Sequence, residues 1–101
     1  MLRAYDIDGV LTANVDPLAP YVVISGRTFA EYDDTARRIA AAAPVYIRGW
    51  GAVGDRIEAA EFKAAMIQLL GVDEFHEDDE LQAGIIRALA PGCLVVLHGA
   101  T

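Results

Sequence analysis

Short apolar runs alternate with longer amphipathic stretches along this chain, and that pattern predicts an α/β fold. Five short segments indicate buried strands, and the second of them is a continuous apolar run bounded by Pro20 and by Ser25-Gly26. We place these strands at residues 2–7, 21–24, 45–47, about 74–76, and 94–97. Strands that alternate with helical segments are typical of a parallel sheet. With no repeat or linker, residues 1–101 are predicted to form one α/β domain.

Three amphipathic stretches predict the helices. The first is expected to open at Thr28, because Thr28 and Glu31 have the spacing of a capping box. The second covers about residues 58–70 and ends at Gly71, a residue that suits a left-handed helix terminus. The third covers about residues 79–90 and begins with acids, which suit the positive end of the helix dipole. Because the carboxyl ends of parallel strands meet at one edge of the sheet, functional side chains are expected there.

Composition narrows the classes of function. Fifteen Asp plus Glu against eight Lys plus Arg give a formal charge of −7, so charge gives no support for a nucleic-acid partner. The single Cys93 excludes an internal disulfide and a cysteine-rich zinc site. No run approaches the roughly 18 apolar residues of a membrane span, and the start of the chain lacks a secretion signal. We therefore expect no membrane partner and a cytoplasmic location.

Residues that follow the predicted strands form a candidate site. They are Asp6 and Asp8 after the first strand, Ser25, Gly26 and Arg27 after the second, Arg48 and Trp50 after the third, and Glu77, Asp78 and Asp79 after the fourth. Acids gathered at one edge repel each other unless protons or a divalent cation neutralise them. Mg²⁺ prefers a few carboxylate oxygens and commonly shares a phosphate oxygen with a substrate. The acids therefore predict a Mg²⁺ site for phosphoryl chemistry.

Two further features suit a phosphate group. The hydroxyl of Ser25 and the backbone amides around Gly26 lead into a predicted helix start, where anionic oxygens are stabilised. Lys63 is the only lysine of the chain and follows Phe62 on the second helix. If Phe62 faces the core, Lys63 lies about 100° around the helix and can reach the sheet edge. Its positive charge would then balance the acids.

In this order the residues resemble the four motifs of the haloacid dehalogenase (HAD) superfamily of phosphohydrolases, in a small, capless form, over nearly the whole chain. The matching residues are Asp6-Ile7-Asp8-Gly9-Val10-Leu11-Thr12, then Val22-Val23-Ile24-Ser25-Gly26-Arg27, then Lys63, and finally Glu77-Asp78-Asp79. The resemblance implies a three-layer α/β sandwich of the HAD-like Rossmannoid type, with strand order 5-4-1-2-3. A finer similarity, to the phosphatase domains of polynucleotide-kinase-type repair enzymes, comes from Ser25-Gly26-Arg27, Asp34-Thr35 and Tyr46-Ile47-Arg48-Gly49.

The resemblance also implies an activity, that of a Mg²⁺-dependent phosphomonoester hydrolase working through an aspartyl-phosphate. Asp6 would be the nucleophile and Asp8 the general acid and base. Ser25 would hydrogen-bond the phosphoryl group, and Lys63 would hold that group and the nucleophile in place. Mg²⁺ would be bound by Asp6, the backbone carbonyl of Asp8, and Asp78, with Asp79 as the second choice. Glu77 is expected either to be exposed or to contact the metal ligands without binding the ion directly.

The expected substrate is a phosphorylated small molecule or a phosphate-ended substrate, contacted by Ser25, Gly26, Arg27 and Arg48. Other interpretations stay open, since Asp78 and Asp79 also suit a plain helix cap, and Trp50 suits either stacking on a ring or covering the core edge. Only residues 12–20 separate the first motif from the second strand, too few for the usual crossover helix.

That short segment favours an alternative function, a noncatalytic HAD-like metal-binding or regulatory module. It is equally compatible with a homodimer or a large substrate that covers an open pocket. A phospho-receiver domain is discounted, because that family places its phosphorylated aspartate after the third strand, where this chain has Arg48.

Overall fold

The structure, a computed structural model, describes residues 1–99, and its five strands form one sheet. The strands are β1 (Arg3–Tyr5), β2 (Tyr21–Thr28), β3 (Val45–Gly49), β4 (Glu74–Glu77) and β5 (Leu94–Leu97). Their order across the sheet is β3-β2-β1-β4-β5, and every neighbouring pair is parallel. The predicted five-stranded parallel sheet and its strand order are therefore confirmed.

Three α-helices join these strands: α1 (Asp34–Ile39), α2 (Arg56–Leu70) and α3 (Glu80–Leu89). Each begins after an aspartate whose side chain accepts hydrogen bonds from amides of the first turn, namely Asp33, Asp55 and Asp79. These acceptors satisfy amide groups that have no partner within the helix. α2 ends at Gly71 in the left-handed conformation, as its sequence predicts. Among residues 1–99, no helix combines the length and the apolar character that crossing a membrane requires.

The first helix begins later than predicted. The capping box exists, since Glu31 Oε1 accepts hydrogen bonds from Thr28 N and Oγ1, both at 3.0 Å. It closes only a 3-10 turn, Phe29–Glu31, and α1 starts at Asp34. The reason is that β2 continues to Thr28, which pairs with Gly49 of β3, so the chain is still extended there. The prediction of a helix opening at Thr28 is wrong, and Phe29, in the 3-10 turn, is 57% exposed.

The main core lies between one face of the sheet and helices α2 and α3. Alternate strand residues point to this face, where the buried cluster contains Ala4, Val22, Ile24, Phe75 and Val95 from the sheet with Ala60, Ala64, Ile67, Ala83 and Ile86 from the helices. A smaller cluster joins Ile7 and Val23 to Ala36 and Ala40 of the α1 region. The alanines of α2 allow this helix to lie close to the sheet, which fixes its first turns beside the carboxyl ends of the strands.

The connection between β1 and β2 contains one 3-10 turn, Leu11–Ala13, and no α-helix. The backbone N–H of Leu18 donates to Tyr5 Oη at 3.0 Å, which ties this connection to the sheet. The short first crossover expected from residues 12–20 is therefore present. Asp6 and Asp8 consequently precede a turn rather than a crossover helix.

Candidate functional site

The carboxyl edge of the sheet brings three carboxylates together. Asp6, Glu77 and Asp78 each offer an oxygen within 4.8 Å of the others. The parallel register pairs Tyr5 with His76, so the residues that follow them, Asp6 and Glu77, lie side by side. Asp6 is 3% exposed and Glu77 is fully buried, whereas Asp78 lies nearer the solvent. Carboxylate oxygens at this spacing can share one hard cation.

Lys63 reaches these acids from α2 and is almost fully buried. Its Nζ donates to Asp6 Oδ2 at 2.9 Å, to Glu77 Oε1 at 2.7 Å and to Gln82 Oε1 at 2.8 Å. An ammonium group has three donors, so each of its protons has an acceptor. One positive charge faces three carboxylates, which leaves an excess of negative charge in a buried place. A divalent cation would neutralise that excess.

The pKa values of the group reflect the same imbalance. Burial raises the pKa of the Asp6 carboxyl well above its usual range, and the Glu77 charge adds to the rise while Lys63 opposes it. Burial also raises the pKa of Asp78, again with a contribution from Glu77. Burial lowers the pKa of Lys63, but the charges of Asp6 and Glu77 outweigh this and raise it overall. The charged form of Lys63 is therefore stabilised. The ionised forms of Asp6 and Asp78 would be stabilised by additional positive charge beside them.

Asp79 lies outside the group of three carboxylates. Its two oxygens accept hydrogen bonds from Arg56 Nε and Nη2, both at 2.8 Å, and this pair holds the pKa of Asp79 well below its usual range. Asp79 also caps α3 and accepts a hydrogen bond from Gln82 Nε2 at 3.1 Å. The structure therefore brings Asp78, and not Asp79, beside Asp6.

Asp8 faces Arg27. Arg27 Nε and Nη2 donate to the two oxygens of Asp8 at 3.1 and 2.7 Å, and these bonds raise the pKa of Arg27. Arg27 Nη1 donates to the carbonyl of Glu31, so each of the three guanidinium nitrogens donates a hydrogen bond. Ser25 is fully buried, and its Oγ accepts a hydrogen bond from the backbone N–H of Arg27 at 3.2 Å. The end of β2 thus fixes the arginine that holds Asp8.

These side chains meet in a cleft of about 210 Å³. Nine residues were predicted to act in catalysis, to bind the metal ion or to contact the substrate, and eight of them line this cleft: Asp6, Asp8, Gly26, Arg27, Arg48, Lys63, Asp78 and Asp79. The remaining one, Ser25, is buried behind Arg27. A Cβ atom on Gly26 would lie 2.5 Å from Ala59 Cβ, so α2 approaches the end of β2 only because residue 26 is glycine. That approach places Lys63 at the base of the cleft.

One residue of the site was not anticipated, and another was only partly described. Gln82, which supplies the third acceptor of Lys63, was not singled out. Glu77, expected to be exposed or to support the ligands, is fully buried and bonded to Lys63. The sequence contains a signal for each: Glu77 directly precedes Asp78, and Gln82 lies about one helical turn after Asp79. Neither signal is sufficient without the register of β1 against β4.

Gly9 is expected to be required for the position of Asp78. Its φ is +69°, and a Cβ atom there would lie 1.8 Å from Asp78 Oδ2. Gly71 has the same φ with no atom within 4 Å of its Cβ position, so Gly71→Ala measures the backbone penalty alone, about 1–2 kcal/mol. We expect Gly9→Ala to lower the free energy of unfolding in urea by more than Gly71→Ala does. Equal losses would show that Asp78 moves aside without cost.

Comparisons with protein-family models, with curated proteins and with solved structures return no match for this chain. What the described residues define is a parallel α/β domain whose carboxyl edge carries a buried lysine, three neighbouring carboxylates and an open cleft.

Proposed function

We propose that this chain is a Mg²⁺-dependent phosphomonoester hydrolase of the HAD superfamily, built as a three-layer α/β sandwich. The observation that carries the proposal is buried Lys63 bonded to both Asp6 and Glu77 at the carboxyl edge of a parallel sheet, with Asp78 beside them. The four motifs occur in the order that the superfamily has, and the observed strand order agrees with the order it implies. Buried clusters on both faces of the sheet support the three-layer arrangement.

Mg²⁺ fits the donors that the chain offers. Asp6 and Asp78 would hold it, with the backbone carbonyl of Asp8. Glu77 already accepts hydrogen bonds from Lys63 and from the amides of Asp78 and Asp79, so its role is to orient the ligands. When bound, the ion would polarise the phosphate oxygens and offset their charge.

Asp6 is held in an orientation that suits a nucleophile. Its Oδ1 accepts a hydrogen bond from the backbone N–H of Ile7 at 2.8 Å, and its Oδ2 accepts one from Lys63. A carboxylate fixed at both oxygens loses little orientational freedom when it attacks phosphorus. In the first step the P–O ester bond breaks and an aspartyl-phosphate forms. In the second step water cleaves that intermediate and releases phosphate.

Asp8 would give its proton to the leaving oxygen and take a proton from the attacking water. In the structure its carboxylate is occupied by Arg27, so this role requires a change of partners. A phosphate group binds a guanidinium in the same bidentate way as a carboxylate does. Substrate that draws Arg27 away would release Asp8 at the moment when proton transfer is needed.

The closed Asp8–Arg27 pair also favours a second candidate function, a noncatalytic HAD-like module that binds a metal ion or phosphate and regulates a partner. The helix-free connection between β1 and β2 points the same way, because it leaves the side of the cleft next to Asp8 without a crossover helix. Such a module would bind Mg²⁺ without hydrolysing an ester.

The test is hydrolysis of p-nitrophenyl phosphate and a panel of other phosphate esters, with Mg²⁺ and with EDTA. We expect turnover with Mg²⁺ and none with EDTA. Asp78→Asn is expected to raise the half-saturating Mg²⁺ concentration about tenfold or more, because a charged ligand is lost. Glu80→Gln is the matched control, since it removes the same charge two residues on, at an exposed position outside the cleft.

The outcomes separate the two functions. A Mg²⁺ requirement that Asp78→Asn leaves unchanged would mean that Asp78 does not bind the ion, and the proposed metal site would be wrong. Calorimetry could instead show Mg²⁺ binding that Asp78→Asn weakens, while no ester is hydrolysed. That result would contradict the hydrolase and support the noncatalytic binding module.

A further inference from the structure

Two exposed aromatic side chains beside the cleft have no part in the phosphoryl chemistry. Trp50 is 79% exposed and Phe29 is 57% exposed. Their rings meet edge to face, with centroids 5.0 Å apart and an interplanar angle of 84°. We call Phe29 and Trp50 the aromatic rim. A tryptophan that covered the core edge would be largely buried, so its exposure favours the other interpretation, a surface that binds something.

The aromatic rim is held in place by the backbone around it. Arg48, whose side chain is 4% exposed, donates to the carbonyl of Trp50 at 3.2 Å and to that of Ala52 at 2.9 Å. Gly49 has a φ of +78°, and a Cβ atom there would lie 3.1 Å from the Phe29 ring. Phe29 thus packs directly on the backbone that precedes Trp50, and the two rings form a fixed surface.

The rim follows, along the chain, residues that line the cleft of the acids, although neither ring lines the cleft itself. Arg48 and Gly54 line the cleft on either side of Trp50 along the chain, and Arg27 and Glu31 line it on either side of Phe29. Asp6 and Lys63 line the cleft at the carboxyl ends of the strands. An ester whose phosphorus lies at Asp6 can therefore extend its alcohol portion along the cleft toward Arg48 and Gly54, the lining residues that flank Trp50 in the chain.

We propose that the aromatic rim binds the leaving group of the substrate, and that this group carries a planar aromatic ring that stacks on Trp50. The inference rests on the proposed phosphomonoester hydrolase. Because Phe29 meets Trp50 edge to face and the indole is mostly exposed, a ring of a ligand can lie against it. Stacking of this kind depends on a π face and tolerates different rings. Two sources share the chemistry, the base of a nucleoside monophosphate and an aryl alcohol.

The kinetic test compares esters with and without a ring. For the nucleotide source it measures the ratio of kcat/KM for adenosine 5′-phosphate to that for ribose 5-phosphate, and for the aryl source the ratio of p-nitrophenyl phosphate to glycerol phosphate. Trp50→Ala is expected to lower at least one ratio about tenfold or more, and Trp50→Phe to retain most of it. Leu69→Ala removes an equally exposed apolar side chain, 77% exposed on α2, and is the matched control. Ratios that Trp50→Ala leaves unchanged overturn the proposal.

Fluorescence gives a readout that needs no turnover, because Trp50 is the only tryptophan. In Asp6→Asn with Mg²⁺, adenosine 5′-phosphate or p-nitrophenyl phosphate is expected to quench Trp50 saturably, whereas ribose 5-phosphate and phosphate-free adenosine are not. Saturable quenching in Asp6→Asn, together with no hydrolysis by the wild type, would support ring binding at the aromatic rim and contradict the proposed hydrolase. Hydrolysis by the wild type without quenching, and with kcat/KM ratios that Trp50→Ala leaves unchanged, would support the hydrolase and contradict ring binding at the aromatic rim.

Discussion

Asp6→Asn is expected to abolish phosphate-ester hydrolysis, by roughly 10³-fold or more in kcat, while the fold survives. The amide of asparagine cannot attack phosphorus to form the covalent intermediate. Its Oδ1 can still accept the hydrogen bond that Ile7 N–H donates in the wild type. Burial raises the pKa of the Asp6 carboxyl, so an uncharged side chain at this position is compatible with folding. The measurement is steady-state hydrolysis with Mg²⁺, together with circular dichroism and urea denaturation.

Asp16→Asn is the matched control, because it makes the same change of side chain at an exposed position in the β1–β2 connection, outside the cleft. We expect Asp16→Asn to keep the wild-type rate. Residual activity in Asp6→Asn above about a tenth of the wild-type rate would show that another group attacks phosphorus. In that case Asp6 would at most bind the metal ion, and the two-step mechanism would be wrong.

Local signals in the sequence were sufficient for the sheet but not for the first helix. β3 and β5 are short segments that begin with apolar residues, and β4 is the mixed segment Glu74–Glu77; all three occur where predicted. Thr28 and Glu31 form the predicted hydrogen bonds, yet those bonds close a single turn. The extension of β2 beyond Ser25 depends on pairing with β3 at Gly49, which is a long-range contact. Capping residues alone do not report such a contact.

The candidate site was predictable to the same degree. Strand ends could be placed from the sequence, which is why Asp6 and Asp78 were expected together and are found together. The burial of Glu77 depends on the register between β1 and β4, and a shift of one residue would turn its side chain to the other face. The pairing of Asp8 with Arg27 is a choice between neighbouring charges that only three-dimensional distances settle.

Charge is distributed in a way that the total of −7 conceals. Half of the eight Lys plus Arg residues line the cleft, namely Arg27, Arg48, Arg56 and Lys63. A cleft that mixes these cations with carboxylates suits an anionic ligand accompanied by a metal ion better than it suits either alone. The net charge therefore argues against a long nucleic-acid surface but not against a single phosphate group.

Lys63→Met is expected to lower the free energy of unfolding by about 3–5 kcal/mol near neutral pH. Methionine keeps most of the apolar stem, so the main change is loss of the ammonium that bonds Asp6 and Glu77. Urea denaturation measures the loss. Arg37→Met is the control for removing a charge from an exposed pair, since Arg37 and Asp34 are 61% and 92% exposed, and it should change stability by less than about 1 kcal/mol.

The loss in Lys63→Met should also depend on pH. Burial already raises the pKa of Asp6 above its unfolded value, and removal of Lys63 takes away a charge that opposes this rise. An acid with a raised pKa binds protons more readily in the folded state, so its unfavourable effect on stability grows as pH rises and fades as pH falls. The difference between wild type and Lys63→Met should therefore be smaller at about pH 5 than at about pH 8.

Adding Glu77→Gln to Lys63→Met should recover part of the stability, because it removes one of the unpaired charges. The loss of unfolding free energy could instead be the same at both pH values, with no recovery from Glu77→Gln. That result would show that the carboxylates do not repel one another strongly, and it would remove the electrostatic argument for a divalent cation beside Asp6.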